Sequence, residues 1–302
     1  MRRIQIPLAA AAIAGLLLTG CGGNGGDQPG TPNDSDGAFP VTVGELTLEA
    51  QPTRIVSLSP TVTEILFAIG AGEQVVAADE FSTYPPEAPT TELSGFDLNP
   101  EAVASYDPDL VVISSFADSI VPQLGEVGIP VYVAPDDPTS LADVYDQITE
   151  LGVLTGRVDE ATGLVSRMSD DISKLAADAP ARDEPLTYYI EIDDTLWTYT
   201  SESIISSLFE LIGLQNIADE PGAVSIQLSP EALIDANPDL ILLTNANFGV
   251  SAETVAQRDG WSGITAVQEG RIFELDPDTA SRWGPRLVDL LAAVAEVAAQ
   301  VP

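Results

Sequence analysis

Two stretches of this chain carry nearly the same order of polar and apolar positions. Residues 99–114 read NPEAVASYDPDLVVIS and residues 229–244 read SPEALIDANPDLILLT. In each, a side chain able to cap a helix (Asn99, Ser229) precedes a proline (Pro100, Pro230) at the first helical position, where its missing N–H costs nothing. A glutamate (Glu101, Glu231) then falls in the positive first turn. The spacing predicts a short helix that ends near Asp107-Pro108 and Asn237-Pro238, because the residue before a proline is pushed out of the helical region. Residues 110–113 and 240–243 next run apolar on both faces, the pattern of a buried, parallel-type strand. Other landmarks return in the same order. Leu66-Phe67-Ala68-Ile69-Gly70 and Ala78-Asp79 are answered by Leu208-Phe209-Glu210-Leu211-Ile212-Gly213 and Ala218-Asp219. Val131-Tyr132-Val133-Ala134-Pro135-Asp136 is answered by Phe273-Glu274-Leu275-Asp276-Pro277-Asp278. An ordered series of echoes implies one ancestral lobe used twice.

The remaining pattern fills in the lobes. Residues 41–48 alternate weakly and suit a small hairpin; residues 54–59 form the first core strand and residues 60–69 its helix. Strand-helix alternation continues to about residue 150. Residues 159–177 place Leu164, Met168, Ile172 and Leu175 at helical spacing with no proline until Pro180, which predicts one continuous helix of about 20 residues, about 30 Å long. Such a helix can span both lobes as a spine. Residues 186–192 open the second lobe as a strand and an amphipathic helix over 287–300 closes it. The expected fold class is α/β: two Rossmann-like lobes with parallel sheets, joined by one long connecting helix. The expected boundaries are 39–150 for the N-terminal lobe, 151–182 for the connecting helix and 183–302 for the C-terminal lobe.

Ahead of the lobes, Met1-Arg2-Arg3 and an apolar run to Leu18 have the layout of a secretory signal over residues 1–20, too short for a comfortable membrane span. Leu18-Thr19-Gly20-Cys21 resembles the lipobox of bacterial lipoproteins, which implies that Cys21 becomes the lipidated first residue. Residues 21–38 offer almost nothing to bury and suit a flexible tether. The expected location is extracytoplasmic, lipid-anchored to the cell membrane, with the membrane met through that anchor only.

Composition narrows the function. Lysine and arginine total 11 against 47 acidic residues, for a net charge of -36, and Lys174 is the one lysine. That charge excludes nucleic acid and an anionic membrane surface as partners, and suits solvation in a salty or extracellular medium. The chain has no histidine, the commonest acid-base residue and metal ligand, and no second cysteine to pair with Cys21. Enzyme signatures are weak. Gly260-Trp261-Ser262-Gly263-Ile264 breaks the nucleophile-elbow pattern at its last position, and Gly70-Ala71-Gly72 meets Val75 where a dinucleotide loop needs glycine or alanine. No carboxylate pair stands out for glycoside hydrolysis, although an extracytoplasmic hydrolase stays as a remote alternative. The expectation is a binding protein, not an enzyme, with no catalytic residue, no resident metal and no cofactor.

A family resemblance sharpens this. Arg54-Ile55-Val56-Ser57-Leu58-Ser59-Pro60-Thr61-Val62-Thr63-Glu64, Tyr84-Pro85-Pro86, the two Pro-Glu units and Arg282-Trp283-Gly284-Pro285-Arg286 resemble the substrate-binding proteins of ABC importers, in the helix-linked class serving vitamin B12, ferric siderophores and haem. The resemblance covers roughly residues 40–300. It implies a ligand held between two lobes and docking of both lobe tips onto a dimeric permease, with Glu101 and Glu231 meeting permease arginines. It also implies ligand contacts at Phe81, Trp197 and Arg282, where cobalamin-binding relatives present two aromatics and an arginine; Phe81 stands in place of a tyrosine and offers no hydroxyl.

In open parallel sheets, ligands bind beyond the carboxyl ends of the strands. The loops expected there collect Phe81, Tyr84, Phe96, Phe116, Trp197, Tyr199, Phe248 and Trp283, flat walls for a large, mostly apolar ligand. With Asp278 and Arg282 these make the candidate ligand-binding set; Trp261 is expected to serve packing. Arg54 is the one basic residue of the first lobe, so an anionic catecholate complex would meet few cations there. Cobalamin or a related corrinoid ranks first and a neutral or cationic ferric hydroxamate siderophore second. Haem ranks lower without histidine, although Tyr84 or Tyr199 could ligate iron. A monomer that captures and delivers is expected, closing only slightly because the spine is stiff. A sensor or adhesin without a permease partner is the further alternative.

Overall fold

The computed structural model describes residues 39–301; the expected signal segment, Cys21 and the tether lie outside the described residues. The N-terminal lobe begins with a hairpin of β1 (Val41–Val43) and β2 (Leu46–Leu48), turned through Gly44 at φ 56. β3 (Ile55–Leu58), α1 (Pro60–Ala68), β4 (Val75–Ala78), α2 (Pro100–Ala104), β5 (Leu110–Ser114), α3 (Val121–Glu126) and β6 (Val131–Ala134) then alternate. Two helices follow, α4 (Leu141–Thr155) and α5 (Val158–Asp178). The C-terminal lobe holds β7 (Leu186–Glu191), β8 (Trp197–Tyr199), α6 (Ile204–Glu210), β9 (Leu214–Asn216), β10 (Ser225–Gln227), α7 (Pro230–Ala236) and β11 (Leu240–Leu243). It ends in α8 (Ala252–Ala256), α9 (Thr265–Gln268), β12 (Ile272–Glu274), α10 (Pro277–Ala280) and α11 (Leu287–Ala299).

The two main sheets are parallel throughout and share one topology. Their orders are β4-β3-β5-β6 and, read from the opposite edge, β9-β7-β11-β12. Each begins on its second position, steps out to one edge, and returns to fill the other side. The duplication legible in the sequence is therefore a duplication of fold.

The repeated unit is built as its residues dictate. The Asn99 side chain accepts from the backbone N–H groups of Glu101 and Ala102, and Ser229 accepts from that of Ala232. Asp107 and Asn237, each before a proline, stand at φ 48 and 47, in the left-handed region that ends helical geometry. The next aspartate in each copy ties the incoming strand to its neighbour. Asp109 accepts from the backbone of Thr53 and Arg54, and Asp239 from the backbone and hydroxyl of Thr187. β5 and β11 then lie buried on both faces. Leu110 and Val112 meet a core shared with Leu240 and Leu242, while Val111 and Ile113 pack in the N-lobe outer layer and Ile241 and Leu243 in that of the C-lobe.

That shared core runs along the helix side of the molecule. α5 buries Ala161, Leu164, Met168 and Ile172 and packs on α4 from the first lobe and α11 from the second. α4 runs through position 150, so the expected edge of the first lobe falls inside a helix. The break comes at Gly156, left-handed at φ 68. Among the described residues, no helix is long and apolar enough to cross a membrane.

Candidate ligand-binding cleft

The carboxyl ends of the N-lobe strands open onto a cavity of about 410 Å³. Leu58 and Ser59 follow β3, Asp79 follows β4, Ser114 ends β5, and Pro135 and Asp136 follow β6; all line it. Across from them the second lobe contributes Asp278, Ser281, Arg282 and Trp283. The volume falls within the range of small-molecule sites.

Three phenylalanines form one wall. The rings of Phe96 and Phe116 are stacked at 5.2 Å between centroids and 13° between planes, and Phe81 meets Phe96 edge-on at 5.6 Å. They remain 47%, 72% and 56% exposed for Phe81, Phe96 and Phe116, an apolar surface that water covers poorly. Beneath them a chain of hydroxyls fixes the loop that carries Phe81. Thr63 on α1 hydrogen-bonds Ser57 and Ser82, both at 2.8 Å, and Ser82 donates to Asp79 Oδ1 at 2.5 Å. Burial raises the Asp79 carboxyl above its ordinary range, against hydrogen bonds from Ser82 and the charge of Arg282, which lower it. Gly95, further along the same connection, lets the chain return close to the end of β3: a Cβ there would stand 2.7 Å from the Leu58 carbonyl oxygen and 3.1 Å from Asp79 Oδ2. Asp136 is held by the Ser115 hydroxyl and by the Phe116 N–H at 3.0 Å.

Arg282 reaches the cavity but is fully engaged. It is 6% exposed, donates to Glu64 Oε1 at 3.0 Å and to the Phe81 carbonyl oxygen at 2.9 Å, and lies 3.0 Å from Asp278 Oδ1. Arg54 donates to the carbonyl oxygens of Tyr106 and Asp107, away from the cavity.

The periplasmic binding protein family is matched over residues 55–279. The chain belongs to that family. An uncharacterised ABC transporter substrate-binding lipoprotein of Bacillus subtilis is 34% identical, over 95% of each chain. A protein of Halobacterium salinarum named as a cobalamin-binding protein is 28% identical, over 95% of this chain and 82% of the relative. Among solved structures, a possible iron-binding, periplasmic solute-binding protein of Staphylococcus epidermidis is 25% identical with a TM-score of 0.72, covering 82% of this chain and 99% of that one.

Within this periplasmic binding protein the structure gathers Phe81, Phe96, Phe116, Asp278, Arg282 and Trp283 around one cavity. It places the other expected contacts elsewhere. Tyr84 lines a neighbouring hollow, with the Arg286 guanidinium 4.3 Å above its ring. Trp197 and Tyr199 do not sit on a loop at a strand's carboxyl end; they belong to β8, which pairs antiparallel with β10 in a ribbon outside the repeat. Tyr199 donates to the Ala280 carbonyl oxygen at 3.3 Å, and burial pushes its phenol up to about 12. Phe248, after β11, is 84% exposed and lines no part of the cavity. Trp261 is 2% exposed, packed against Tyr189 and Arg258. Glu101 and Glu231 stand exposed in the first turns of α2 and α7. Among the described residues, no group of three or more His, Cys, Asp or Glu side chains is placed to hold a metal ion.

Sequence reasoning passed over Ser59, Asp79, Gly95, Ser114, Asp136 and Gln147, all of which line the cavity. Asp136 had a signal: it is the repeat partner of Asp278, and both copies face the cleft.

Proposed function

We propose that this periplasmic binding protein captures cobalamin or a related corrinoid between its lobes and delivers it to an ABC permease, by binding alone and without chemistry. The observation that carries the reading is the Phe81, Phe96 and Phe116 wall beside a cleft whose single arginine is already paired. A flat, largely apolar ligand covers those rings and gains the area they leave to water. Asp79, Asp136 and Asp278 supply acceptors and negative charge, which suits a neutral or cationic ligand rich in amide donors and disfavours an anionic catecholate. Haem is disfavoured because no tyrosine or histidine lines the cavity. The name of the halobacterial relative agrees. A neutral or cationic ferric hydroxamate is the second reading, since the same charge pattern accepts it and the staphylococcal structure carries a possible iron-binding title.

In this reading residues 39–150 and 183–302 are the two lobes, Cys21 carries the lipid, and the protein works as a monomer at the outer face of the cell membrane. Trp197, Tyr199 and Phe248 stand outside the ligand set, and Tyr84 acts from beside it. Glu101 and Glu231, one at the same place on each lobe, dock onto cationic residues of a dimeric permease and fix its register.

Trp283 lines the cavity and reports on it. Titration of the full-length protein with cyanocobalamin, corrected for ligand absorption, is expected to give saturable quenching, weakened about tenfold or more by Phe96→Ala with Phe116→Ala. Quenching by ferrioxamine alone moves the protein to siderophore uptake, and silence from both overturns the ligand assignment. Glu101→Ala with Glu231→Ala should keep the affinity and lose uptake; unchanged uptake removes the docking role.

A further inference from the structure

Glu64 is a carboxylate in the wrong company for its own lobe. It lies on α1 among Thr61, Val62, Thr63, Ile65 and Leu66, all buried, and is itself 2% exposed. A charge so placed has to be paired. Both of its partners come from the other lobe. Arg282, 218 positions along the chain, donates to Oε1 at 3.0 Å. Arg286 grips both oxygens, through Nε to Oε2 at 2.9 Å and Nη2 to Oε1 at 2.5 Å.

The two arginines also hold the aromatic loop. Arg282 donates to the carbonyl oxygen of Phe81, whose ring is cleft wall, and Arg286 lies over the ring of Tyr84. One end of the loop between β4 and α2 is thereby fastened to the C-terminal lobe, in addition to the hydroxyl chain that fastens it to its own. We propose that Glu64 is the latch that sets the aperture of the cleft, with Arg282 and Arg286 as positioning residues, so that ligand contact at Phe81 and closure of the lobes are coupled. The proposal rests on the reading of the cleft as the ligand site.

The electrostatics make the latch close to two-state. α5 and the continuous core already join the lobes, so the latch is not needed to keep them together. It acts on their separation. A parting of the lobes that breaks these bonds leaves the Glu64 carboxylate and the Arg286 guanidinium partly desolvated and unpaired, and Arg282 with Asp278 alone, which costs far more than loss of an exposed ion pair. Arg282 is therefore not a free cation awaiting an anionic ligand: its donors face Glu64, Asp278 and the Phe81 carbonyl oxygen. Its role is to place the wall and the rim. Release to a permease has to break this knot, and a permease that pulls the lobes apart supplies the work.

The test is Glu64→Gln in the full-length protein, read by cyanocobalamin dissociation in stopped flow and by the radius of gyration of the unliganded protein in solution scattering. The expected result is dissociation faster by about tenfold or more, association within about twofold, and a larger radius. Arg286→Gln should move the same readings in the same direction by less. The double variant should add little to Glu64→Gln alone, because the groups act as one network. A merely structural Glu64 would lower the melting temperature and leave dissociation and radius unchanged, which overturns the proposal. Should Glu64→Gln fail to fold, Arg286→Gln carries the test by the same criteria. Should the wild type bind no cyanocobalamin, the ligand reading fails but scattering still decides: an enlarged Glu64→Gln or Arg286→Gln variant supports the latch and an unchanged radius removes it.

Discussion

Asp79 supports the aromatic wall while being poorly hydrated itself, and that tension makes it a pH-dependent residue. It is 1% exposed, and burial holds its carboxyl above the ordinary value of 3.8. The folded protein therefore binds this proton more tightly than the unfolded chain does. Its contribution favours folding below 3.8 and is lost as pH rises through the folded value. Asn at this position keeps an acceptor for Ser82 and removes the charge. Asp79→Asn should thus gain stability relative to the wild type as pH rises from below 3.8 to neutrality, measured as urea midpoints for both proteins across that range. A difference between them that does not change with pH would count against this account. None of this was legible beforehand: one aspartate among 47 acidic residues carries no signal until the fold buries it. Glu64 was visible only as a letter in a family-like motif, and Phe248 lies outside the cavity lining for a related reason. Chain position identifies the end of a sheet, but not which side chains there turn inward.

At the scale of elements, the closest approach in the spine is where α4 turns into α5. Gly152 faces Ala161 so tightly that a Cβ at Gly152 would stand 2.5 Å from the Ala161 Cβ and 3.1 Å from the Arg157 carbonyl oxygen. Gly152→Ala raises intrinsic helix propensity by about 1 kcal/mol. The clash forces the two helices apart, and overpacking of this kind costs about 1–3 kcal/mol. The net expectation is a lower melting temperature despite the better helix former, checked by calorimetry; an unchanged or higher one would mean that the α4–α5 turn yields freely. Elements with strong local signals were readable. Proline at the first helical turn, a capping side chain and an unbroken apolar strand gave α2, β5, α7 and β11, and an uninterrupted helical period gave α5. β8 and β10 were not readable as strands, because three residues each carry too little periodicity and their pairing is set from a distance. The expected boundary at 150 falls inside α4 for the opposite reason: nothing in the residues around it interrupts the helix before Gly156.

For the whole molecule, charge is the dominant unbalanced force. Against 47 acidic residues the chain has 11 basic ones. Among the described residues, two arginines close on Glu64 across the lobes and Arg258 on the fully buried Glu191, while Arg157 and Arg271 pair with more exposed glutamates. Most of the carboxylates thus face solvent with no cation of their own, and their mutual repulsion opposes the compact state. Salt screens exposed charges, whose interaction range falls from about 10 Å at 0.1 M to about 3 Å at 1 M, whereas a buried pair such as Glu64 with its arginines is screened much less. Raising sodium chloride from 0.05 to 0.5 M should therefore relieve repulsion without loosening the latch. The melting temperature should climb on the order of 5 °C over that range, most steeply at the low end. A flat response would mean that the surface carboxylates are too far apart to matter. The proposed docking through Glu101 and Glu231 should respond in the opposite sense, because attraction between those exposed carboxylates and a cationic permease face is what salt screens. A salt range that strengthens the fold while weakening delivery distinguishes self-repulsion from recognition within the same acidic surface.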